Sequence, residues 1–335
     1  MKLIYELKNK TIEDKILGPN NINLKTIEET LGFKIILTKS LVYVDDNLNE
    51  ESINRVLKTF DCLEELIKNT YPFNTIDIIN CIKAIDNDSI DALMAILKKR
   101  EVVATLHSGK SVYPKTINQA NYVSALKNND VVFGIGPAGT GKTYLAVLFA
   151  SQMLKKQEVK RIVLVRPVVE AGEKLGFLPG DLKEKIDPYL VPLYDALNDC
   201  FGKETVEKLI AKGSIEVAPL AYMRGRTLDN SVIILDEAQN ATLQQMKMFL
   251  TRLGFGSKMF ITGDITQIDL YSKSQSGLIE ASRILKGIPE IKFIEFERND
   301  VMRNPIVYKI IERYENAVFK KENIEEDKEW QLKYI

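Results

Sequence analysis

Apolar and polar residues alternate in short runs along the first hundred residues. The segments MKLIYEL, GFKIIL and LVYVDD predict three strands, and the polar residues 38–40 between the last two predict a hairpin. Apolar residues recur at three- and four-residue steps over residues 53–67, which predicts an amphipathic helix packed on this small sheet. Two further helices are predicted around residues 75–85 and 89–100. We therefore expect residues 1–100 to form a small N-terminal α+β domain.

The pattern changes after residues 101–118, which we interpret as a linker. Continuous apolar runs follow, separated by helical segments. They occupy residues 131–135, 161–165, 215–217, 232–235, 259–262 and 291–296. Runs that are apolar throughout are typical of parallel strands covered by helices on both faces. The sequence therefore predicts an α/β core over residues 119–316, followed by a charged tail at 317–335 that is too short for a second core.

Charge and residue usage exclude several classes of protein. The 335 residues include 46 Lys plus Arg and 46 Asp plus Glu, so any contact with nucleic acid must come from a local patch. His107 is the single histidine, which excludes histidine-dependent catalysis and His-ligated zinc. We expect a cytoplasmic protein, because no apolar run approaches membrane-spanning length and the N-terminal residues are too polar for a signal peptide.

Two sets of side chains have plain structural interpretations. Cys62, Cys81 and Cys200 are far apart in the chain and match no metal-binding or redox spacing, so we interpret them as buried thiols in a reducing compartment. Residues 98–100 read Lys-Lys-Arg. Because the helix dipole favours basic residues at a helix C-terminus, we interpret this cluster as a solvated helix end rather than a binding patch.

The segment GIGPAGTGKT at residues 134–143 is the first that carries chemistry. Its spacing is that of a loop that cradles phosphates between a strand and a helix. Glycine backbones wrap closely around a phosphate, Lys142 reaches the β- and γ-phosphates, and the Thr143 hydroxyl is placed to bind Mg²⁺. We predict a nucleotide site at this loop. Its residues are Gly136, Pro137, Ala138, Gly139, Thr140, Gly141, Lys142, Thr143 and Tyr144.

The segment VIILDEAQ at residues 232–239 places two carboxylates at the end of an apolar run. Asp236 is predicted to hold magnesium together with Thr143, and Glu237 to orient and activate an attacking water. Acidic residues often finish strands, so the pair is weak evidence by itself. Coupled to the phosphate loop, it predicts hydrolysis of a nucleoside triphosphate rather than phosphoryl transfer to a small molecule.

Two glutamines are further candidates. Gln267, in FITGDITQIDL at residues 260–270, is positioned to donate its amide to the γ-phosphate and to sense whether that phosphate is present. The alternative is a simple turn in which Asp264 and Thr266 satisfy local backbone groups. Gln119, in PKTINQANY, is an amide that could read the adenine edge, or alternatively part of a polar helix N-terminus.

The phosphate loop, both strand ends and the upstream glutamine together resemble the ATPase core of superfamily 1 helicases. Two strings are more specific, RPVVEAGEKLGFLPGDLKEKIDPYLVPLYDAL from residue 166 and APLAYMRGRTL from residue 218, and they are similar to the long bacterial form of the PhoH-like family. The resemblance covers residues from about 100 to about 316. It implies a RecA-like P-loop NTPase core that uses ATP and Mg²⁺. It also implies a role in RNA metabolism, proposed helicase activity, and association with a single-strand endoribonuclease of ribosomal RNA maturation.

The same resemblance implies that the N-terminal domain is similar to a KH-type RNA-binding module. KH modules clamp the nucleic-acid backbone with a loop that reads GxxG. The loop at the corresponding place here reads Gly18, Pro19, Asn20, Asn21, which departs from that pattern at its last position. The sequence leaves open whether this domain binds RNA or protein.

A long, glycine- and proline-containing loop is predicted after the second core strand, between Arg166 and Pro192. Loops of this length in a compact domain are usually functional. Lys174, Lys183 and Lys185 give it local positive charge, which nearby acidic residues offset. The alternatives are contact with nucleotide or nucleic acid, and packing against a neighbouring subunit.

Three functions remain open from the sequence. The first is an ATP-driven enzyme that remodels or unwinds single-stranded RNA. The second is an ATP-dependent switch or scaffold that recruits an endoribonuclease without unwinding anything. The third, a small-molecule kinase, is disfavoured because no lid-like basic segment follows the core and Glu237 suits a water nucleophile.

A single core leaves its nucleotide site half open, which predicts a homo-oligomer such as a hexameric ring. In such a ring a neighbouring copy would supply an arginine that offsets the charge of the transition state. Arg303 is the first candidate for this arginine, followed by Arg224 and Arg226. Each of these residues has a structural ion pair as its alternative role.

Overall fold

The computed structural model describes residues 1–71, 73–167, 182–272 and 276–302, together with residues 307, 310 and 313. Within these ranges the chain forms a small N-terminal domain and a larger α/β core. No helix in the described part of the chain combines the length and the apolarity that crossing a membrane requires.

The N-terminal domain places a three-stranded antiparallel sheet against helices. Its elements are β1 (Lys2–Glu6), α1 (Lys10–Leu17), α2 (Ile22–Leu31), β2 (Ile36–Thr38), β3 (Leu41–Val44), α3 (Glu50–Lys68), α4 (Thr75–Asp86) and α5 (Ile90–Lys99). The sheet order is β1-β3-β2, and both pairs are antiparallel. The predicted hairpin between β2 and β3 is therefore confirmed.

Helix α3 follows from the spacing of its apolar residues. Asn49 caps its first turn by accepting a hydrogen bond from the Ser52 amide at 2.8 Å. Val56, Phe60 and Leu63 lie on one face and are fully buried in the domain core. The amphipathic helix predicted over residues 53–67 is confirmed, and its buried stripe holds the small sheet against the other helices.

The cysteines of this domain are closer than their sequence separation suggests. Cys62 on α3 and Cys81 on α4 are both buried, with their Sγ atoms 3.1 Å apart. The hydrogen bond from Cys62, together with burial, raises the pKa of the Cys81 thiol. The expectation of buried thiols holds, but Cys62 and Cys81 are neighbours in space because α3 and α4 pack side by side.

The turn between α1 and α2 contains the segment Gly18 to Asn21. Gly18, Asn20 and Asn21 have positive φ angles of 67°, 52° and 59°. Asparagine is one of the few residues that adopts this left-handed backbone readily. Asn21 therefore holds the backbone conformation that a glycine would supply at the fourth position of a GxxG loop.

Residues 101–118, predicted as a linker, contain regular secondary structure. They contain a two-stranded antiparallel ribbon of β4 (Ala104–Thr105) and β5 (Ser111–Val112), and helix α6 (Ile117–Asn128) begins within them. Val103 and Ala104 are buried in the same hydrophobic cluster as the core helices. This segment, predicted as a linker, packs as part of the core because its apolar residues cover α7 (Lys142–Lys155).

The core contains a six-stranded sheet among the described residues. Its further elements are β6 (Val131–Ile135), β7 (Arg161–Arg166), α8 (Leu182–Phe201), α9 (Lys203–Ala211), β8 (Ile215–Pro219), β9 (Ser231–Leu235), α10 (Leu243–Leu250), β10 (Lys258–Gly263), α11 (Gly277–Ile284) and β11 (Ile291–Glu295). The strand order is β11-β6-β10-β9-β7-β8, and neighbouring strands are parallel. The predicted α/β core is confirmed.

Alternate residues of the central strands belong to two separate hydrophobic clusters. Val132, Ile234 and Phe260 contribute to one cluster, whereas Phe133 and Ile261 contribute to the other. All five residues are fully buried. A strand buried on both faces must be apolar at consecutive positions, which is why these segments read as continuous apolar runs.

The segment after β7 that was predicted as a long loop contains the start of a helix. Helix α8 begins at Leu182 and continues past Pro188 and Pro192, so the end of the predicted loop is helical. Residues 168–181, which include Lys174, lie outside the described residues. Pro188 lies in the first turns of α8.

Lys115 joins the N-terminal domain to the core. Its Nζ donates to Asp77 Oδ1 at 2.7 Å and to the Tyr71 hydroxyl at 2.8 Å, and its carbonyl oxygen accepts from Asn80 Nδ2 at 3.2 Å. The Asp77 side chain is fully buried. Burial alone would lower the pKa of Lys115, but the charge and hydrogen bond of Asp77 outweigh it and raise that pKa. The ion pair thus favours the charged lysine in a largely desolvated junction.

We expect Lys115→Met to lower the free energy of unfolding by about 3–5 kcal/mol, because Asp77 would be left buried without its cation. Urea denaturation measures this difference. Since the pKa of Lys115 is raised in the folded state, the loss should be complete below the unfolded lysine pKa of about 10.4 and should shrink as pH rises through the folded value. Lys99→Met is the control: both side chains of its ion pair with Glu101 are exposed, and a change above about 1 kcal/mol there would contradict the burial argument.

Candidate functional site

Three glycines shape the loop between β6 and α7. Gly136, Gly139 and Gly141 have φ angles of 148°, 83° and 83°, which residues with a Cβ rarely adopt. A Cβ at Gly136 would also lie only 2.3 Å from the carbonyl oxygen of Phe296. The Gly136 amide donates to the Gly263 oxygen at 3.0 Å, which fixes the loop to the end of β10. Backbone amides curled in this way at a helix N-terminus form an anion-binding site.

Lys142 is the first residue of α7, and its side chain turns back into this loop. Its Nζ lies 2.7 Å from the carbonyl oxygens of both Gly136 and Pro137, and 3.3 Å from the Thr140 hydroxyl. The residue is 7% exposed. The ammonium charge is therefore held inside the curve of the loop, where it reinforces the attraction for a phosphate.

A hydroxyl and a carboxylate meet at the start of α7. Thr143 Oγ1 donates to Asp236 Oδ1 at 2.6 Å, and Thr262 Oγ1 donates to the same oxygen at 2.9 Å. Oxygen ligands of this kind suit a hard divalent cation. Among the described residues no group of three or more His, Cys, Asp or Glu side chains could hold a metal ion. The Thr143 and Asp236 oxygens suit a cation such as magnesium, which binds proteins through one or two carboxylates and keeps water or phosphate oxygens as its other ligands.

Thr262 was not predicted from the sequence. It is fully buried on β10, and its hydroxyl lies 3.2 Å from the Thr143 hydroxyl, so both contact the same oxygen of Asp236. The available signal was its position in FITGD, one residue before the glycine that ends the strand. Side chains that hydrogen-bond a metal ligand orient that ligand, so Thr262 positions Asp236.

Glu237 follows Asp236 and has a left-handed backbone with φ of 52°. One carboxylate oxygen accepts from Arg166 Nη2 at 2.9 Å, and the other accepts from Gln239 Nε2 at 2.6 Å. Such backbone conformations persist where surrounding contacts enforce them, and they cluster at functional sites. Arg166 and Gln239 therefore fix the direction of the Glu237 carboxylate.

Gln239 is buried and connects the ends of β9 and β10. Besides Glu237, its Nε2 donates to the Gln267 carbonyl oxygen at 3.1 Å, and its Oε1 accepts from the Asp264 amide at 3.0 Å. A Cβ at Gly263 would lie 2.8 Å from this Oε1, so the contact needs glycine there. Sequence reasoning missed Gln239, although it is the last residue of VIILDEAQ; a polar residue just after a buried strand was the signal.

Asp264 ties the phosphate loop to the end of β10. Its Oδ2 accepts from the Ala138 amide at 3.1 Å and from Gln267 Nε2 at 3.0 Å. Its Oδ1 accepts from both the amide and the hydroxyl of Thr266, at 2.9 and 2.6 Å. Asp264 and Thr266 form the local turn that was the alternative, but Asp264 also binds the distant Ala138 amide, and Gln267 is held beside the loop. The sensor role of Gln267 stays a prediction.

These side chains surround one cavity of about 240 Å³. Its lining residues are Ala138, Gly139, Gly141, Lys142, Thr143, Tyr144, Asp236, Glu237, Gly263, Asp264 and Gln267. The structure thus brings together residues that are more than a hundred positions apart in the chain. The Tyr144 hydroxyl donates to Asp199 Oδ2 at 3.0 Å, and burial together with this carboxylate raises the pKa of the phenol, which keeps it neutral.

Gln119 lies beside the phosphate loop rather than on the wall of this cavity. Its Nε2 donates to the Thr140 carbonyl oxygen at 3.0 Å and contacts Met302 Sδ at 2.9 Å, and its Oε1 accepts from the Lys115 amide at 2.7 Å. Thr116 caps α6 by accepting from the Gln119 amide at 3.2 Å. The Gln119 side chain therefore holds the phosphate loop through Thr140, and its contact with adenine stays a prediction.

The three candidate arginines lie in different environments or, for one of them, outside the described residues. Arg303 lies outside the described residues. Arg226 forms a two-pronged ion pair with Glu216 at 2.6 and 2.7 Å, and this pair lowers the pKa of Glu216. Arg224 is exposed. Arg226 therefore has the structural role that was its alternative, while Arg224 is at the surface.

We expect Thr262→Val to weaken the site for metal while leaving the fold intact, because valine keeps the shape but removes the hydroxyl that orients Asp236. Loss of such a supporting hydrogen bond typically costs 10- to 100-fold in metal affinity. Nucleotide hydrolysis titrated with a divalent cation measures the half-saturating concentration. An unchanged value would contradict the positioning role, and Thr38→Val, at an exposed strand position, is the control.

Comparison with known proteins shows the family of this chain. A family model described as PhoH-like protein matches residues 111–315. A PhoH-like protein of Bacillus subtilis (strain 168) is 50% identical over 310 residues, which cover 92% of this chain and 96% of the relative. A PhoH-like protein of Synechocystis is 45% identical, over 90% of this chain and 91% of the relative. Protein PhoH of Escherichia coli (strain K12) is 41% identical over 198 residues, or 58% of this chain and 56% of that protein.

Among solved structures, the Sulfolobus solfataricus SWI2/SNF2 ATPase core in complex with dsDNA aligns at 13% identity and a TM-score of 0.34. The alignment covers 59% of this chain and 47% of that chain, and so low a score carries no argument. The relatives, the family match and the parallel sheet with its phosphate loop agree with one another. The chain belongs to the PhoH-like family and is a nucleotide-hydrolysing protein with a RecA-like P-loop core.

Proposed function

We propose that this chain is a Mg²⁺-dependent ATPase that acts on RNA and remodels or unwinds it during ribosomal RNA maturation. The observation that carries the ATPase part is the meeting of Lys142, the Thr143–Asp236 pair and Glu237 around one cavity. The RNA part rests on the family resemblance and on the form of the N-terminal domain.

Each residue of the cavity has a separate task in hydrolysis. The loop amides and Lys142 bind the β- and γ-phosphates, and Thr143 and Asp236 would hold the metal ion. When bound, Mg²⁺ neutralises charge on the phosphate oxygens and helps to align them. Glu237 orients a water for attack on the γ-phosphate and accepts its proton. Arg166 and Gln239 keep that carboxylate in place.

The N-terminal domain supports the RNA part of the proposal. Its elements from β1 to α3 follow the order strand-helix-helix-strand-strand-helix, and the resemblance implies that this domain is a KH-like module. The loop at residues 18–21 lies between the two helices, and Pro19, Asn20 and Asn21 are exposed. Lys15 and Lys25 are exposed on the helices that flank the loop. An exposed, left-handed turn between two lysines is suited to the phosphate backbone of a single strand.

Two partners remain part of the proposal. A second copy of the chain would complete the nucleotide site, with Arg303 as the predicted arginine, and a single-strand endoribonuclease would act on the remodelled RNA. The direct test is ATP hydrolysis by the purified chain with and without single-stranded RNA. Stimulation by RNA supports remodelling. Turnover that ignores RNA would favour the alternative, a nucleotide-dependent switch that recruits the nuclease.

We expect Lys142→Ala to abolish or strongly weaken ATP binding, whereas Glu237→Gln should bind ATP normally and hydrolyse it at least about a hundredfold more slowly. Lysine supplies charge to the bound phosphates, while the glutamate acts only in the chemical step. Calorimetry and phosphate release separate the two effects. Normal ATP affinity in the lysine variant, or normal turnover in the glutamine variant, would sink the assignment of that residue.

We expect Asn20→Asp to weaken binding of single-stranded RNA roughly tenfold or more, because the new carboxylate would repel the phosphate backbone. Affinity for ATP should stay unchanged, since the loop is not part of the nucleotide cavity. Fluorescence anisotropy with a labelled oligonucleotide measures the RNA affinity. Asn47→Asp adds the same charge at another exposed asparagine of this domain, and an equal loss there would mean that the 18–21 loop has no special role.

A further inference from the structure

A second cavity lies where the N-terminal domain meets the core. Its volume is about 370 Å³, within the range of sites for small organic ligands. Helices α4 and α5 form one side, and the start of α6 and the segment after β11 form the other. Residues that line it include Asn80, Asn87, Ser89, Asn118, Asn299 and Asp300. Neither domain could form this cavity alone.

Two short connections lead from the cavity to the phosphate loop, and each consists of a step of one or two residues along the chain followed by one hydrogen bond. Asn118 lines the cavity, and the next residue, Gln119, donates to the Thr140 carbonyl oxygen at 3.0 Å. On the second path, Asp300 lines the cavity, and Met302, two residues later, donates its amide to the Gly139 oxygen at 2.9 Å. Asn118 Nδ2 donates to Asp300 Oδ2 at 2.8 Å and joins the two paths. Gln119 and Met302 therefore contact the phosphate loop and are one and two residues away in the chain from residues that line the cavity.

The chemistry of the lining differs from that of the phosphate cavity. Asparagine amides provide neutral donors and acceptors, while Ala84, Leu93 and Ile117 provide apolar surface. Burial lowers the pKa of Lys83, with Asp300 acting in the opposite direction, so this side of the cavity is partly withdrawn from water. The lining also includes four charged side chains, those of Lys83, Lys115, Glu297 and Asp300. Apolar surface beside polar groups that can contact a ligand's edges suits a flat heterocycle such as a nucleobase. The phosphate-binding groups, by contrast, are gathered on the other side of Gln119 and Met302.

We propose that the cavity between the two domains receives the base of the nucleotide whose phosphates lie on the loop. The inference rests on the proposed ATPase function and deepens it. The ribose would pass beside Gln119 and Met302, and the base would contact α4 and α5 of the N-terminal domain as well as the core. The N-terminal domain then forms part of the nucleotide site. It favours a nucleotide, which carries a base, over pyrophosphate, which does not.

The test fills the cavity from the N-terminal domain with Asn87→Trp, in the full chain. Asn87 is the exposed C-terminal cap of α4, and the matched control is Asn69→Trp at the exposed C-terminal cap of α3, which does not line the cavity. Calorimetry with MgADP and with magnesium pyrophosphate separates base from phosphate, since pyrophosphate carries no base. We expect Asn87→Trp to weaken MgADP at least tenfold and to leave pyrophosphate within twofold, while Asn69→Trp changes neither.

Other outcomes would overturn the proposal. Unchanged ADP affinity, or an equal loss for ADP and pyrophosphate, would show that the base lies elsewhere. Two ADP molecules per chain would mean that the cavity takes an independent nucleotide. Asn299→Trp fills the cavity from the core side and gives the same reading if Asn87→Trp does not fold. Lys142→Ala separates a failure of the proposed ATPase function from a failure of the base site. Normal ADP and ATP affinity in this variant would refute the ATPase function. If Lys142→Ala weakens nucleotide binding but the cavity variants leave ADP affinity unchanged, only the base site is refuted.

Discussion

The geometry of the site depends on the hydrogen bonds of Asp236, whose carboxylate is buried. Its backbone amide donates to the Val165 oxygen at 2.9 Å, which extends the pairing of β9 with β7 by one residue. Its Oδ1 accepts from Thr143 on α7 and from Thr262 on β10. A carboxylate that is 6% exposed is costly unless it is hydrogen-bonded or neutralised by a cation. Burial of Asp236 therefore fixes the positions of three elements at once.

A continuous set of hydrogen bonds extends from this point around the cavity. Asp264 holds the Ala138 amide of the loop and the side chain of Gln267, and Gln239 joins the Asp264 amide to Glu237. A buried donor or acceptor left without a partner costs about 1–3 kcal/mol. The loop and the Glu237 carboxylate therefore cannot shift independently without such a cost. This gives a physical route by which an anion bound in the loop can affect the Glu237 carboxylate.

The sequence allowed the core strands, the phosphate loop and the Asp236–Glu237 strand end to be predicted, because each is a local property. Strands buried on both faces must be apolar throughout, and the turn at Gly136 tolerates no Cβ. Thr262, Gln239 and the proximity of Cys62 to Cys81 could not be predicted in this way. They depend on which strands and helices are neighbours, and a single sequence does not contain the register of β10 against β9. The β4–β5 ribbon within residues 101–118 could not be predicted either, because strands of two residues are too short to show a periodic pattern.

The first turn of α6 is where the two domains and the nucleotide site meet. Lys115, just before it, is bound to the buried Asp77 of α4, and Gln119, within it, is bound to Thr140 of the phosphate loop. The Lys115 amide also donates to Gln119 Oε1 at 2.7 Å, so the two contacts share a pair of residues. A displacement of the N-terminal domain must either break the Lys115–Asp77 pair or move the start of α6 with it. The Lys115–Asp77 pair and the Gln119–Thr140 hydrogen bond therefore hold the N-terminal domain and the phosphate loop to the same turn of α6.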